Sequence, residues 1–241
     1  MGFVQYGTRY GSKAPLAAIW PWTLAALVLL IAWDASGLDL PLARLMADGR
    51  GFALRDNWIA AVLLHSWMRN AAFLAAAWLF VGIWWPLGVL RRLSRGSRVN
   101  WLVSLLLGVA LINVLKHSSH SSCPWDLTEF GGAGTYLSHW AAWGRADGGP
   151  GRCFPAGHAS AAFAFIGGFF ALRPVSRPLA FACLVVVATA GLVIGASQQL
   201  RGAHFMSHTL WTAWFCWVVA WTVDAAARVA AQVPHGEVAW R

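Results

Sequence analysis

Apolar runs of near-bilayer length alternate with short polar turns along most of the chain. They cover residues 14–33, 70–90, 100–115, 158–172, 179–196 and 205–223. About 20 apolar residues carry a helix across a hydrocarbon core, where only a helix or a closed barrel satisfies its own backbone. The pattern predicts an all-α polytopic membrane protein with six transmembrane helices, formed as a single domain over 1–241. The run at 158–172 is short for a bilayer. A more interrupted apolar stretch, 58–68, fits a helix lying in the interface.

The charged residues orient these spans. Arg91, Arg92, Arg95 and Arg98 crowd one short turn, and Arg173 and Arg177 another. Short basic loops mark the cytoplasmic side. Every Asp and Glu except Asp224 and Glu237 then falls on the outer side, and both termini are cytoplasmic. Composition agrees with this placement: 59% of the 241 residues are hydrophobic, 11% are charged, and 17 are Trp. Such a chain is too apolar for an ordinary soluble domain. The formal charge of +9 lies in turns between spans, with no basic stripe interleaved with stacking aromatics, so nucleic acid is excluded as a partner. The simplest setting is a bacterial inner membrane, crossed several times.

The outer side carries the candidate chemistry. Lys116, one of two lysines, ends the third run and opens a long loop rich in Gly, Ser, His and Trp that extends to Pro155. Lys116 reads either as a snorkelling interfacial residue or as a functional cation. Cys153-Phe154-Pro155-Ala156-Gly157-His158 then starts the fourth run. A helix start after such a loop offers free N–H groups and a positive dipole end, which suits an anion such as phosphate. The turn from Ser197 to His208 follows the fifth run, with His204 and His208 four residues apart. A zinc site joining this pair to His117 and His120 lacks both the His-Glu-x-x-His and the Cys-x-x-Cys spacing, so no metal and no cofactor is expected.

In order and spacing these three stretches read Lys116-x6-Cys123-Pro124, Pro155-Ala156-Gly157-His158 and Ser197-Gln198-x5-His204-x3-His208. They resemble the three motifs of the type 2 phosphatidic acid phosphatase superfamily: Lys-x6-Arg-Pro, Pro-Ser-Gly-His and Ser-Arg-x5-His-x3-Asp. The resemblance covers about residues 70–225 and is similar to a bacterial branch with divergent motifs. It implies phosphoester hydrolysis through a phosphohistidine. His204 would be the nucleophile and His158 the general acid, with Lys116 and the backbone at Gly157 holding phosphoryl oxygens. Four positions depart from the family pattern. Cys123 and Gln198 stand where it has Arg, Ala156 where it has Ser, and His208 where it has the Asp that orients the nucleophile. Arg201 and Arg152 are the candidates to restore positive charge, and Gln198 can still donate to phosphate. Asp126 or Glu129 are candidates to replace the carboxylate, alongside His208 itself.

The implied activity is that of an integral-membrane phosphatase on a lipid phosphate or diphosphate, such as undecaprenyl diphosphate, a phosphatidate-like lipid or lipid A. Its partners are that substrate and the surrounding lipids, with no obligate protein partner. The alternatives are a lipid phosphotransferase using the same phosphohistidine, and a lipid-phosphate-binding protein without turnover. Cys183 and Cys216 fall within spans as small apolar side chains. Cys123 and Cys153 share the outer loop. If that face is periplasmic, they are expected to form a disulfide closing a loop with little apolar material of its own; the alternative is two free thiols.

Overall fold

A computed structural model describes residues 19–48, 51–58 and 67–232. Among these residues the chain is helical and has no strand, only isolated bridges between Asp48 and Gly51 and between Leu127 and Gly134. The helices are α1 (Trp20–Ser36), α2 (Asp39–Met46), α3 (Met68–Val81), α4 (Arg95–Ser118), α5 (Gly157–Phe163), α6 (Gly167–Leu172), α7 (Arg177–Leu200) and α8 (Met206–Ala230). Three of them, α4, α7 and α8, are long and apolar enough to cross a membrane. A fourth crossing results if α1 and α2, bent by 70°, count as one span. Less than a third of each long apolar window is buried inside the protein, so most of these apolar side chains face outward, as in a helix bundle solvated by lipid.

Among the described residues, three or four full-length crossings stand beside two shorter apolar helices, Met68–Val81 and Gly157–Leu172, which fall in two more of the six expected runs. The run expected at 70–90 leaves the helix after Val81. Pro86 restricts the residue before it and cannot donate to a helix. A short 3-10 turn, Gly88–Arg92, then tucks Leu90 fully inside. The Arg98 guanidinium reaches back to the Gly82 carbonyl at 2.6 Å, satisfying an acceptor that the ending helix leaves open. Of the run expected at 14–33, residues 14–18 lie outside the described residues; α1 continues three residues beyond it, to Ser36. Most of the interfacial helix expected at 58–68 also lies outside them, and Met68 already belongs to α3.

α4, α5, α6, α7 and α8 surround one core built on Trp101, Leu105, Ile112, Phe163, Phe169, Phe170 and Cys216. The small residues between α5 and α6 allow the approach. A methyl group on Gly168 would overlap the Cys183 sulfur at 2.6 Å and Trp101 Cε2 at 2.9 Å. The chain relaxes there into a 3-10 turn, Ala164–Ile166.

The outer loop is more ordered than its composition suggested, and the expectation that it has little apolar material is corrected. Leu127 and Phe130 are buried with Ala43, Phe52 and Phe205 in a second small core, and Phe154 is fully buried against Leu30 and Trp211. Buried Asp147 ties the loop polar side together. Its carboxylate accepts from Ser122 N at 2.6 Å, Ser122 Oγ at 2.7 Å and Gly149 N at 2.9 Å. Cys123 and Cys153 are disulfide-bonded, 30 residues apart. The 3-10 turns and these ties hold the loop over the C-terminal end of α4 and the N-terminal ends of α5 and α8.

Candidate active site

Lys116 stands in the last turn of α4 and Gly157 is the first residue of α5. A methyl group placed on Gly157 would lie 3.5 Å from Lys116 Nζ, so the ammonium rests against the start of α5. His158 follows in the first turn. His204 lies in the non-helical link between α7 and α8, 2% exposed, with its ring centre 5.8 Å from that of His158. The two outer motifs are joined through main chain, since Ala156 N donates to the His208 carbonyl at 3.2 Å. Motif one is joined to motif three in the same way, by Trp125 N on the Gly202 carbonyl at 3.0 Å. The fold thus brings Lys116, Gly157, His158, His204 and His208 together.

The surroundings of His204 favour its neutral form. Burial first, then the positive charge of Lys116 and the neighbouring imidazoles of His208 and His158, hold its pKa well below the ordinary value. A neutral imidazole has a nucleophilic lone pair. Its Nδ1 lies 3.5 Å from Cys153 Sγ, and the Cys153 carbonyl accepts from the ring. With Nδ1 facing Cys153, Nε2 is the nitrogen with a free lone pair.

The charge-restoring candidates separate. Gln198 belongs to the last turn of α7 rather than to the turn beyond it, and it is 1% exposed. Arg201 caps α7, donates to Gln198 Oε1 at 3.3 Å and to the Arg55 carbonyl at 2.9 Å, and stacks over Trp125. The two form one unit, with the guanidinium partly spent on structure. Arg152 is exposed, in a left-handed backbone conformation (φ 59°), and its N–H donates to the Ser119 carbonyl.

The carboxylate candidates sit elsewhere. Glu129 pairs with Arg44 at the surface, 2.5 Å apart. The Asp126 carboxylate accepts from the indole of its neighbour Trp125 at 3.0 Å, and burial raises its pKa. Neither is among the groups that act on His204. Asp126 lies in the 3-10 turn Pro124–Asp126 and Glu129 in the turn Thr128–Phe130, each held in those contacts. His117 and His120, the other half of the discounted zinc site, are exposed while His204 and His208 are buried.

Two acidic residues that motif spacing did not single out lie behind His208. Asp39, at the start of α2, caps α8 from outside: it accepts from Ser207 N at 3.0 Å, from the Ser207 hydroxyl, and from Trp33 Nε1 at 2.9 Å. Asp34, near the end of α1, accepts from Trp140 Nε1 at 2.8 Å and Trp211 Nε1 at 2.9 Å, with His139 Nε2 3.3 Å away. The available signal was their position: both acids flank the end of an apolar run, where ionisable residues are functional candidates.

A family model, described as the PAP2 superfamily, matches residues 98–229, more than half of the chain. The chain belongs to the PAP2 superfamily, whose members are generally phosphatases, commonly acting on lipid phosphates. No curated protein and no solved structure matches it significantly.

Proposed function

We propose that this PAP2 superfamily chain is an integral-membrane phosphatase of the bacterial inner membrane. It removes phosphate from a lipid phosphate or diphosphate presented at the periplasmic face, through a phosphohistidine on His204. The observation that carries the reading is the placement of buried, neutral His204 opposite His158, with Lys116 against Gly157 between their elements. Phosphoryl transfer needs little covalent machinery beyond this: cations around the equatorial oxygens, an aligned nucleophile and a proton for the leaving oxygen.

Nε2 of His204 attacks phosphorus and the bond from phosphorus to the lipid oxygen breaks. The His158 imidazolium gives its proton to that oxygen, releasing the lipid alcohol, or the lipid monophosphate when a diphosphate is cleaved. Neutral His158 then takes a proton from water as it attacks phosphorus. The P–N bond breaks, returning His204 and releasing inorganic phosphate. Lys116, the backbone N–H groups at Gly157 and the Gln198–Arg201 unit neutralise the phosphoryl oxygens. The outward-facing apolar side chains of the long helices favour a lipid over a soluble phosphoester. Undecaprenyl diphosphate, phosphatidate-like lipids and lipid A are the substrate candidates.

The test is phosphate release by the purified protein from this lipid panel, with and without a lipid acceptor. Release without acceptor, abolished in His204→Ala, supports hydrolysis. Transfer that requires the acceptor supports a phosphotransferase. Tight lipid binding without release refutes both.

A further inference from the structure

A ladder of rings extends from the reacting pair into the protein. His158 and His204 are 5.8 Å apart, His204 and His208 5.8 Å, and His208 and His139 5.6 Å, each pair edge to face. The ladder ends on a carboxylate, where His139 Nε2 lies 3.3 Å from Asp34 Oδ2, within ion-pair range but without an aligned hydrogen bond. His139 is 4% exposed and is clamped flat on Phe154, ring centres 4.1 Å apart and planes within 12°. Two indoles hold the Asp34 oxygen that faces it, while the other, Oδ1, is buried and has no partner. Nδ1 of His208 is likewise buried without a partner, and the ring leans on the Cys153 carbonyl that also receives His204.

The proposed reaction creates a need that this ladder meets. Attack through Nε2 puts positive charge on the His204 ring. Around it stand Lys116 from α4, His158 from α5 and His208 from α8, all cationic or neutral. Tyr136 and His139 approach from the loop, and the carboxylates behind them are Asp34 from α1 and Asp39 from α2. Asp39 is committed through both oxygens to Ser207. A carbonyl orients a ring but carries no net charge.

We infer that Asp34 and His139 are positioning residues of this site, a carboxylate–imidazole pair behind His208 that steadies His208 and, through it, offsets the positive charge of the phosphorylated His204 ring. The inference rests on His204 being the nucleophile. The pair takes over a duty that no carboxylate near the three motifs performs. A carboxylate within ion-pair range orients an imidazole, and the oriented His139 ring constrains the His208 ring packed against its edge. Asp34 also ties α1 to α8 and to the loop through Trp211 and Trp140, so the anion belongs to the frame of the site rather than to a mobile side chain.

Orthovanadate, which mimics the pentacoordinate phosphoryl group and bonds to an imidazole nitrogen, probes this without knowledge of the lipid. Its affinity for the full-length protein in detergent is measured across pH for wild type, Asp34→Asn, His139→Phe, His208→Asp and the double variant Asp34→Asn/His208→Asp. Asn still accepts from both indoles, and Phe keeps the stacking on Phe154, so both singles retain the packing. Each is expected to weaken vanadate by about tenfold to a hundredfold, the usual cost of removing an outer partner of a working imidazole. Removing a partly buried anion makes nearby imidazoles harder to protonate, so the acid limb of binding moves to lower pH. His208→Asp places a carboxylate one helical turn from His204, and in that background the Asp34→Asn loss shrinks. Wild-type affinity and pH profile in both singles would overturn the inference. So would an undiminished Asp34→Asn loss in the His208→Asp background, which marks a merely structural role. One equivalent of a metal ion, found by elemental analysis in wild type and lost in His139→Phe, would instead make Asp34, Asp39 and His139 a metal site. His204→Ala binding vanadate as wild type does would refute the nucleophile assignment itself, a separate failure.

Discussion

Gly195 lies in α7 where that helix crosses α8 beside the candidate site. A methyl group there would lie 2.7 Å from Thr209 Oγ1 and 3.1 Å from Thr209 Cβ, with Cγ2 closer still. Thr209 is fully buried, one residue after His208. Rotation about its χ1 only exchanges atoms that already face Gly195, so Gly195→Ala must push the two helices apart. Overpacking of this kind costs up to about 3 kcal/mol, and the better helix propensity of alanine returns about 1 kcal/mol. The net loss is about 2 kcal/mol, or roughly 4–8 °C in Tm for a chain of this size. Thr209→Ala removes both clashing branches. The hydroxyl it deletes has no partner, so the single change costs about 1 kcal/mol for the lost methyl group. Gly195→Ala/Thr209→Ala is then expected within about 1 kcal/mol of wild type, a strong positive coupling. Because His204 hangs between α7 and α8, phosphate release should fall in the single variant and recover in the double. Thermal unfolding followed by Trp fluorescence and lipid phosphate turnover read both effects. A Gly195→Ala protein as stable as wild type, or one that Thr209→Ala fails to rescue, refutes the close-crossing argument.

Further outcomes follow from the same geometry. His204→Ala should abolish phosphate release while the protein stays folded in detergent, and substantial residual release excludes the phosphohistidine route. His158→Ala should cost far less with a leaving group that needs no proton, and equal losses across leaving groups count against its acid role. Arg201→Lys should lower activity although charge is kept, because an ammonium cannot serve Gln198 and the Arg55 carbonyl as the guanidinium does; unchanged activity shifts the duty to Arg152 or to Lys116 alone. Replacing Cys123 and Cys153 with Ala opens a 30-residue link and should cost about 3.6 kcal/mol in the chain-entropy estimate, read as a lowered Tm that reductant reproduces in wild type. His204 is held well below an unfolded value of about 6.5, so the unfolded chain binds the extra proton; stability is unaffected by this group above about pH 6.5 and falls as pH drops towards the folded pKa. A stability curve that rises on acidification through that window contradicts the buried, neutral His204.

Much of the helical frame can be read from apolar runs because lipid imposes a simple rule, and α4, α7 and α8 each extend a few residues beyond the runs that suggested them. The rule fails where helices are shortened by local chemistry. The Gly82–Leu87 break depends on Pro86 and on Arg98 reaching the Gly82 carbonyl, a contact 16 residues away. α2 lies outside every apolar run, in a stretch of mixed charge, and Asp39 is buried there by its bonds to Ser207 on α8. The meeting of Lys116, Gly157 and His158 with His204 follows from motif order and spacing, since each motif ends or starts a helix on the same side. The fate of the replacement charges does not, because it is set by tertiary partners: Arg44 claims Glu129, and Arg55 and Trp125 hold Arg201.

The missing carboxylate shows why such substitutions defeat motif reading. A motif records residues close in sequence, but an electric field has no such restriction. The acids that follow the first motif, Asp126 and Glu129, are held in other contacts. Asp34 lies 170 positions before His204, and it reaches the site because α1 packs on α8 and Trp211 donates to it. Partial burial strengthens the field of such an anion, since the screening of water is reduced and the neighbouring indoles fix its position. Once Asp34 and His139 supply charge from behind, position 208 no longer requires an acid. A neutral imidazole there can share the Cys153 carbonyl with His204 without adding a second negative charge beside the phosphate. On that proposal His208 would substitute for the family aspartate, and phosphate would meet Lys116 without a carboxylate at position 208.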